Sequence, residues 1–213
     1  MRVLIVGPTG RIGSLVMERA LAAGHEVVGL ARDPSRVEPH ERLVLVGGDV
    51  QDAALVGEAV NGVDAVIATV GPRANTASDE EALAVGMRHL VSAMEAASVR
   101  RLIALSGAAV DVSGDRKPAV DRIVSRVVRR LAQHVVRAKQ REFEIFAASD
   151  LDWTALRPPL VTDADPRGYR LDTLLRPGAR VTRADVAQAV VDQLGDTTFI
   201  RAAPFVLPPG KTA

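Results

Sequence analysis

Apolar residues along this chain fall in short continuous runs, each closed by glycine, proline or a charged residue. Such runs occupy Arg2–Val6, Glu26–Ala31, Arg42–Val46, Asp64–Val70, Arg101–Leu105 and Leu151–Leu156. Runs of this length, rich in Val, Ile and Leu, read as strands buried on both faces of a parallel sheet. Between them lie stretches with helical periodicity: roughly Arg11–Ala23, a helix beginning near Gln51, Asp79–Ala97, Pro118–Ser149 and Arg183–Leu194. Gly24 supplies a stop for the first helix. Strand alternating with helix predicts an α/β fold with a doubly wound, mainly parallel sheet flanked by helices. Asp163–Arg180 reads as loop-rich with a short strand at Tyr169–Leu171, and Phe205–Leu207 as a last edge strand. No linker, repeat or low-complexity tract interrupts the pattern. The expectation is one domain, with residues 1–150 as core and residues 151–213 as a small substrate-side region.

The first strand runs into VGPTGRIG, where Gly7, Gly10 and Gly13 stand three apart before an amphipathic helix. Strand, glycines and helix in this order fit a dinucleotide. One glycine makes the turn, one lets the backbone approach a pyrophosphate, and one lets the helix pack against its strand. The pyrophosphate then sits on the helix N-terminus, where unpaired amides and the dipole favour an anion. The alternative is an ordinary strand-turn-helix whose glycines serve packing alone.

The end of the second strand selects between dinucleotides. An acidic residue there suits the ribose 2′-hydroxyl of NAD, and an arginine the 2′-phosphate of NADP. Here Arg32 comes first, then Asp33, Ser35 and Arg36. Two guanidiniums and a hydroxyl around one turn make a phosphate clamp, so NADP(H) is expected over NAD(H). Otherwise Arg32 and Arg36 are solvated loop charges and Asp33 a turn or cap residue. After the third strand, Asp49, beside Val50, either accepts from the adenine amine or caps the next helix. Ligands in open parallel sheets lie beyond the strands' carboxyl ends, so Thr69, Val70, Gly71 and Arg73 should border the ribose and nicotinamide. Arg73 is either a pyrophosphate contact or a surface charge. Ser106 follows the fifth strand and Pro158 and Pro159 the sixth, beside the expected nicotinamide. Lys139 is the further catalytic candidate.

Composition narrows the field. The chain has 213 residues, 25% charged and 47% hydrophobic, with a formal net charge of +1 and no cysteine. Disulfides, thiolate catalysis and zinc-thiolate sites are excluded, and no metal is expected. Near-neutral charge gives no reason for a nucleic-acid partner. Arg122, Arg126, Arg129 and Arg130 recur at helical spacing, but Val124, Val127, Val128 and Leu131 make the opposite face apolar, as on any amphipathic surface helix. The opening apolar run is too short for a signal segment, and no run reaches membrane-spanning length. A cytoplasmic protein without membrane association, monomeric or homodimeric, is expected.

Taken in order, VGPTGRIG, LARDPSR, VGGDV, DAVIATVG, LIALSG and SDLDWTALRPP resemble the atypical short-chain dehydrogenase/reductases. Within these the chain is similar to the compact NAD(P)H-binding branch of biliverdin reductase B (flavin reductase) type, with NmrA-like regulators further off. The resemblance implies a Rossmann fold, NADPH binding, and reduction of a flavin, quinone or tetrapyrrole-like acceptor. It places Gly7, Thr9, Gly10, Arg11, Ile12 and Gly13 in the pyrophosphate loop, Arg32 at the 2′-phosphate and Ser106 at the active site. Two departures matter. The Tyr-x-x-x-Lys pair of better-known members is missing: the only tyrosine is Tyr169, followed four residues later by Thr173. The histidine that follows the paired prolines in the flavin-reductase type is replaced by Leu160. The reading is an NADPH-dependent reductase passing hydride to a planar electrophilic acceptor. A non-catalytic NAD(P) sensor and a nucleotide-sugar epimerase or dehydratase are the alternatives.

Overall fold

The computed structural model describes residues 1–113, 115 and 131–210. The expected helix segment before Leu131, with Arg122, Arg126, Arg129, Arg130 and the valines opposite them, lies outside the described residues. In chain order the elements are β1 (Arg2–Val6), α1 (Gly13–Ala22), β2 (Glu26–Ala31), β3 (Leu43–Gly47), α2 (Ala53–Val60), β4 (Ala65–Ala68) and α3 (Ala77–Ala96). There follow β5 (Arg101–Leu105), α4 (Gln133–Ala147), β6 (Asp152–Leu156), β7 (Leu160–Thr162), β8 (Arg170–Asp172), β9 (Arg180–Thr182), α5 (Arg183–Asp192) and β10 (Phe205–Leu207).

Six strands form one sheet in the order β3-β2-β1-β4-β5-β6, every neighbouring pair parallel. This is the doubly wound Rossmann arrangement, and the order reverses between β1 and β4. A crevice opens at that reversal, beyond the strands' carboxyl ends. Alternation of side chains along β1 explains why its run is wholly apolar. Val3 and Ile5 pack toward α1 and α5, while Leu4 and Val6 pack toward the layer of α2, α3 and α4. All four are at most 1% exposed, and burying an aliphatic side chain of this size contributes about 1.5–3 kcal/mol. On the α4 side, Phe143, Phe146 and Trp153 pack as a trio with ring centroids 5.4–5.6 Å apart, within the favoured range for edge and tilted contacts.

The chain beyond β6 departs from expectation. Among the described residues, segment 202–207 meets the edge of the main sheet only through single parallel bridges, Thr154 with Ala202 and Arg157 with Phe205; Phe205–Leu207, as β10, pairs antiparallel with β8, and β7 pairs parallel with β9. The short strand foreseen at Tyr169–Leu171 lies at Arg170–Asp172. These small ribbons are anchored by Arg157, which is 2% exposed. Its guanidinium donates to the Ala203 carbonyl at 2.8 Å and to both Asp115 oxygens, at 2.5 and 2.7 Å, and stands 4.0 Å over the Phe205 ring. The loop after β5, the end of β6 and β10 are thereby drawn to one buried cation. Among the described residues no helix is long and apolar enough to cross a membrane.

Candidate functional site

The glycine turn is held from several sides. Gly7 has φ +89°, its amide donates to the Leu30 carbonyl at 3.0 Å, and Gly10 donates back to Gly7 at 3.2 Å. The Thr69 hydroxyl, just past β4, donates to the carbonyls of Val6 and Gly7 at 3.0 and 3.1 Å. At Gly13 a Cβ would lie 2.0 Å from the Gly7 carbonyl oxygen, so only glycine lets α1 start this close to the loop. The sequence expectation of a helix from Arg11 is corrected here: Arg11 and Ile12 belong to the turn, with Ile12 as the residue before α1.

The N-terminus of α1 differs from the other helix starts. Asp52 caps α2, Thr76 caps α3, and Thr182 caps α5 through side-chain oxygens. Asn75 reaches across to accept from the amides of His134 and Val135 at the start of α4. At α1 no side-chain oxygen serves the first turn and no acidic residue stands in it. Among the described residues the amides of Arg11, Ile12 and Gly13 find no hydrogen-bond acceptor. Unpaired donors at a helix N-terminus suit a diphosphate.

A cleft lies over this turn at the β1/β4 reversal. Of the expected residues it is lined by Gly7, Thr9, Gly10, Arg32, Arg36, Asp49, Val50, Val70, Gly71 and Arg73. The wall also includes Leu30, Gln51, Asp79, Ala82 and Leu83, which the sequence marks only as strand or helix positions. Ala82 and Leu83 come from the first half of α3, whose apolar periodicity predicted a helix but not a helix face turned toward the cleft.

Arg32 and Arg36 are exposed at the cleft edge and form no ion pair among the described residues. Asp33 does not neutralise them. Its Oδ1 accepts from the Ser35 amide at 3.2 Å and the Ser35 hydroxyl at 2.6 Å, capping a single 3-10 turn over Pro34–Arg36. Asp49 is corrected as a helix cap. Its Oδ1 accepts from the Gln51 amide at 3.0 Å, whereas α2 starts two residues later and is capped by Asp52. Arg73 approaches Asp79 at 3.6 Å. A hydrogen bond from the Thr76 hydroxyl, with the Arg73 charge as a smaller cause, holds the Asp79 carboxyl below its ordinary range.

Ser106, Lys139, Pro158, Pro159, Arg11, Ile12 and Gly13 stand off the cleft's lining. The Ser106 amide donates to the Leu156 carbonyl at 2.8 Å, and the Ala108 amide to Pro158 at 3.2 Å, so the ends of β5 and β6 stand side by side. The Ser106 hydroxyl oxygen is enclosed and has no partner among the described residues. Lys139 donates to the carbonyls of Val70 and Leu105. Tyr169 is elsewhere: it packs in the α1/α5 layer and donates to the Asp192 carboxylate. Burial and that hydrogen bond push its hydroxyl well above the ordinary phenol range. Among the described residues no cluster of His, Asp and Glu could hold a metal ion. The glycine cradle, the unserved amides, the free arginines and the orphan serine hydroxyl together fit an anionic dinucleotide lying along the strand ends.

Comparison with known proteins agrees in kind. Cinnamoyl-CoA reductase 1 of Oryza sativa subsp. japonica is 32% identical over 126 residues, covering 54% of this chain and 37% of that protein. The chain spans about a third of the length of the curated relatives it matches. A short-chain dehydrogenase/reductase of Veillonella parvula, solved in complex with NADP, superposes with a TM-score of 0.81 at 23% identity over 100% of this chain and 96% of that one. An anaerobillin reductase of Escherichia coli O157:H7 superposes with a TM-score of 0.81 at 20% identity over the full length of both chains. A family model described as NAD(P)H-binding matches residues 7–197, from the first loop glycine to beyond α5, and the chain therefore belongs to the NAD(P)H-binding family.

Proposed function

We propose that this protein is an NADPH-dependent reductase that delivers hydride to a planar electrophilic acceptor such as a flavin or quinone. The observation that carries the reading is the pairing of a dinucleotide cradle with a nicotinamide end poor in acids. Gly7, Gly10 and the amides of Arg11 to Gly13 hold the pyrophosphate, with Arg32 and Arg36 at the 2′-phosphate. Bound NADPH supplies a hydride, and with one proton from water the acceptor is reduced while NADP+ leaves. Tyr169 is tied to Asp192 away from the cleft, so the chain has no tyrosine acid to protonate an ordinary ketone. Flavins and quinones need none, because the hydride's charge spreads into a conjugated ring and the protein's task is to position two rings. The unpartnered Ser106 hydroxyl orients the acceptor as a hydrogen-bond donor.

The test is to mix purified protein with NADPH and a panel of FMN, FAD and substituted quinones and to follow nicotinamide absorbance. The expected result is oxidation above background with one or more of these acceptors. Tight binding of both NADP redox states without turnover on any of them would replace this reading with a redox sensor.

A further inference from the structure

Lys139 and Glu142 stand one turn apart on α4, facing the sheet. The Lys139 ammonium donates to the Val70 carbonyl at 2.6 Å and the Leu105 carbonyl at 2.9 Å, and meets Glu142 Oε2 at 2.7 Å. An ammonium has three donors, and these three acceptors take all of them. Val70 follows β4 and borders the cleft, while Leu105 ends β5 immediately before Ser106. One cation therefore ties together the carboxyl ends of two neighbouring strands. Its stem runs beside the adjoining loop, where a Cβ on Gly71 would sit 3.7 Å from Lys139 Cε.

Glu142 is 1% exposed, and its Oε1 has no partner among the described residues. A buried carboxylate is costly, and an apolar side chain would fill the same volume more cheaply. Packing α4 on the sheet thus gives no reason for an acid at this position. Burial pushes the Glu142 carboxyl up, and the Lys139 charge pulls it back down.

We propose that Glu142 is a positioning residue: by occupying the third donor of Lys139 it aims the other two at Val70 and Leu105, and so sets the shape of the nicotinamide half of the cleft. The proposal rests on the dinucleotide reading above and assigns Lys139 to holding strand ends rather than to proton transfer. Releasing a proton would strip the donor from a strand-end carbonyl or from a buried carboxylate.

The test compares Glu142→Gln, Glu142→Leu, Lys139→Met and the double variant Lys139→Met/Glu142→Leu with the native protein. The double variant removes both buried charges together and so keeps the fold when a single replacement does not. Calorimetry gives affinities for NADPH and for 2′-phospho-ADP-ribose, which shares the adenine half and lacks the nicotinamide. Glu142→Leu is expected to weaken NADPH about tenfold, the equivalent of one lost hydrogen bond, and to leave the fragment unchanged. Glu142→Gln, which retains a carbonyl acceptor for Lys139, is expected to lose less. The double variant should bind NADPH no worse than Lys139→Met alone, as for two residues acting as one unit.

Equal losses for NADPH and the fragment, additive losses, or no loss in Glu142→Leu would overturn the proposal. So would a limb missing from the pH profile of kcat/KM in Lys139→Met, which marks a proton donor. If the native protein binds NADPH but reduces no acceptor, the reductase reading falls, and the affinity comparison still decides the clamp.

Discussion

Replacing Arg32 by alanine tests the proposed basis of cofactor choice. In the free protein Arg32 is exposed and makes no ion pair among the described residues, and the neighbouring Asp33 is already served by Ser35. Its removal therefore breaks no contact that supports the fold, and the loss appears in binding. A hydrogen bond to a charged group contributes about 1.5–3 kcal/mol, which corresponds to roughly 10- to 150-fold in Kd. Calorimetric titration of Arg32→Ala with NADPH and with NADH, at one fixed ionic strength because exposed charges are screened, should show that loss for NADPH and little change for NADH. Equal weakening of both cofactors would refute the argument, since NADH has no 2′-phosphate to lose.

Other perturbations probe the remaining parts. Gly13→Ala drives a methyl against the Gly7 carbonyl oxygen, and such overpacking costs about 1–3 kcal/mol or more; a lowered Tm with loss of NADPH affinity is expected, and an unchanged titration would contradict the close approach. Ser106→Ala should lower turnover while leaving NADPH affinity nearly unchanged; an unaltered rate would show that the hydroxyl serves only its local surroundings. Arg157→Ala removes one side of a buried ion pair, a change that costs about 3–5 kcal/mol; urea denaturation should show it, and a loss below about 1 kcal/mol would mean that the small ribbons hold without that anchor. Glu80, whose carboxyl is held below its ordinary value first by the hydrogen bond from His134 and then by Arg141, contributes stability that is complete above the usual carboxylate pKa and lost as pH falls through the lowered one. Thermal melts through that acid range should fall less steeply for Glu80→Gln, and parallel curves would exclude the contribution.

Three of the four strands flanked on both sides were legible residue by residue, and the fourth, β4, is shorter than the expected Asp64–Val70 because the chain turns toward the cleft after Ala68. Arg2–Val6, Glu26–Ala31 and Arg101–Leu105 are β1, β2 and β5 without adjustment, because burial on both faces requires an unbroken apolar run. The three-residue strands β7 to β10 were not legible as pairs. Leu160 faces Arg180 and Phe205 faces Asp172, and no local periodicity announces partners that far apart. The same limit applies at the site. Gly7, Gly10 and Gly13 declare themselves by spacing, whereas Asp49 reads equally as an adenine contact or a helix cap until the backbone shows that Asp52 serves the first amides of α2. The environment of Lys139 is tertiary: its acceptors come from the ends of β4 and β5 and from the next turn of α4. Glu142, on an amphipathic helix rich in charge, reads as a solvated residue until its burial is seen.

Backbone amide NMR during titration with NADP+ tests the central claim most directly, because it observes the proposed diphosphate donors themselves. The account predicts that Gly10, Arg11, Ile12 and Gly13 shift furthest, together with Arg32 and Arg36, and that ADP-ribose alone moves the loop amides but not the arginine turn. Saturable binding that leaves the loop amides unmoved, or no binding at millimolar NADP+, would contradict it.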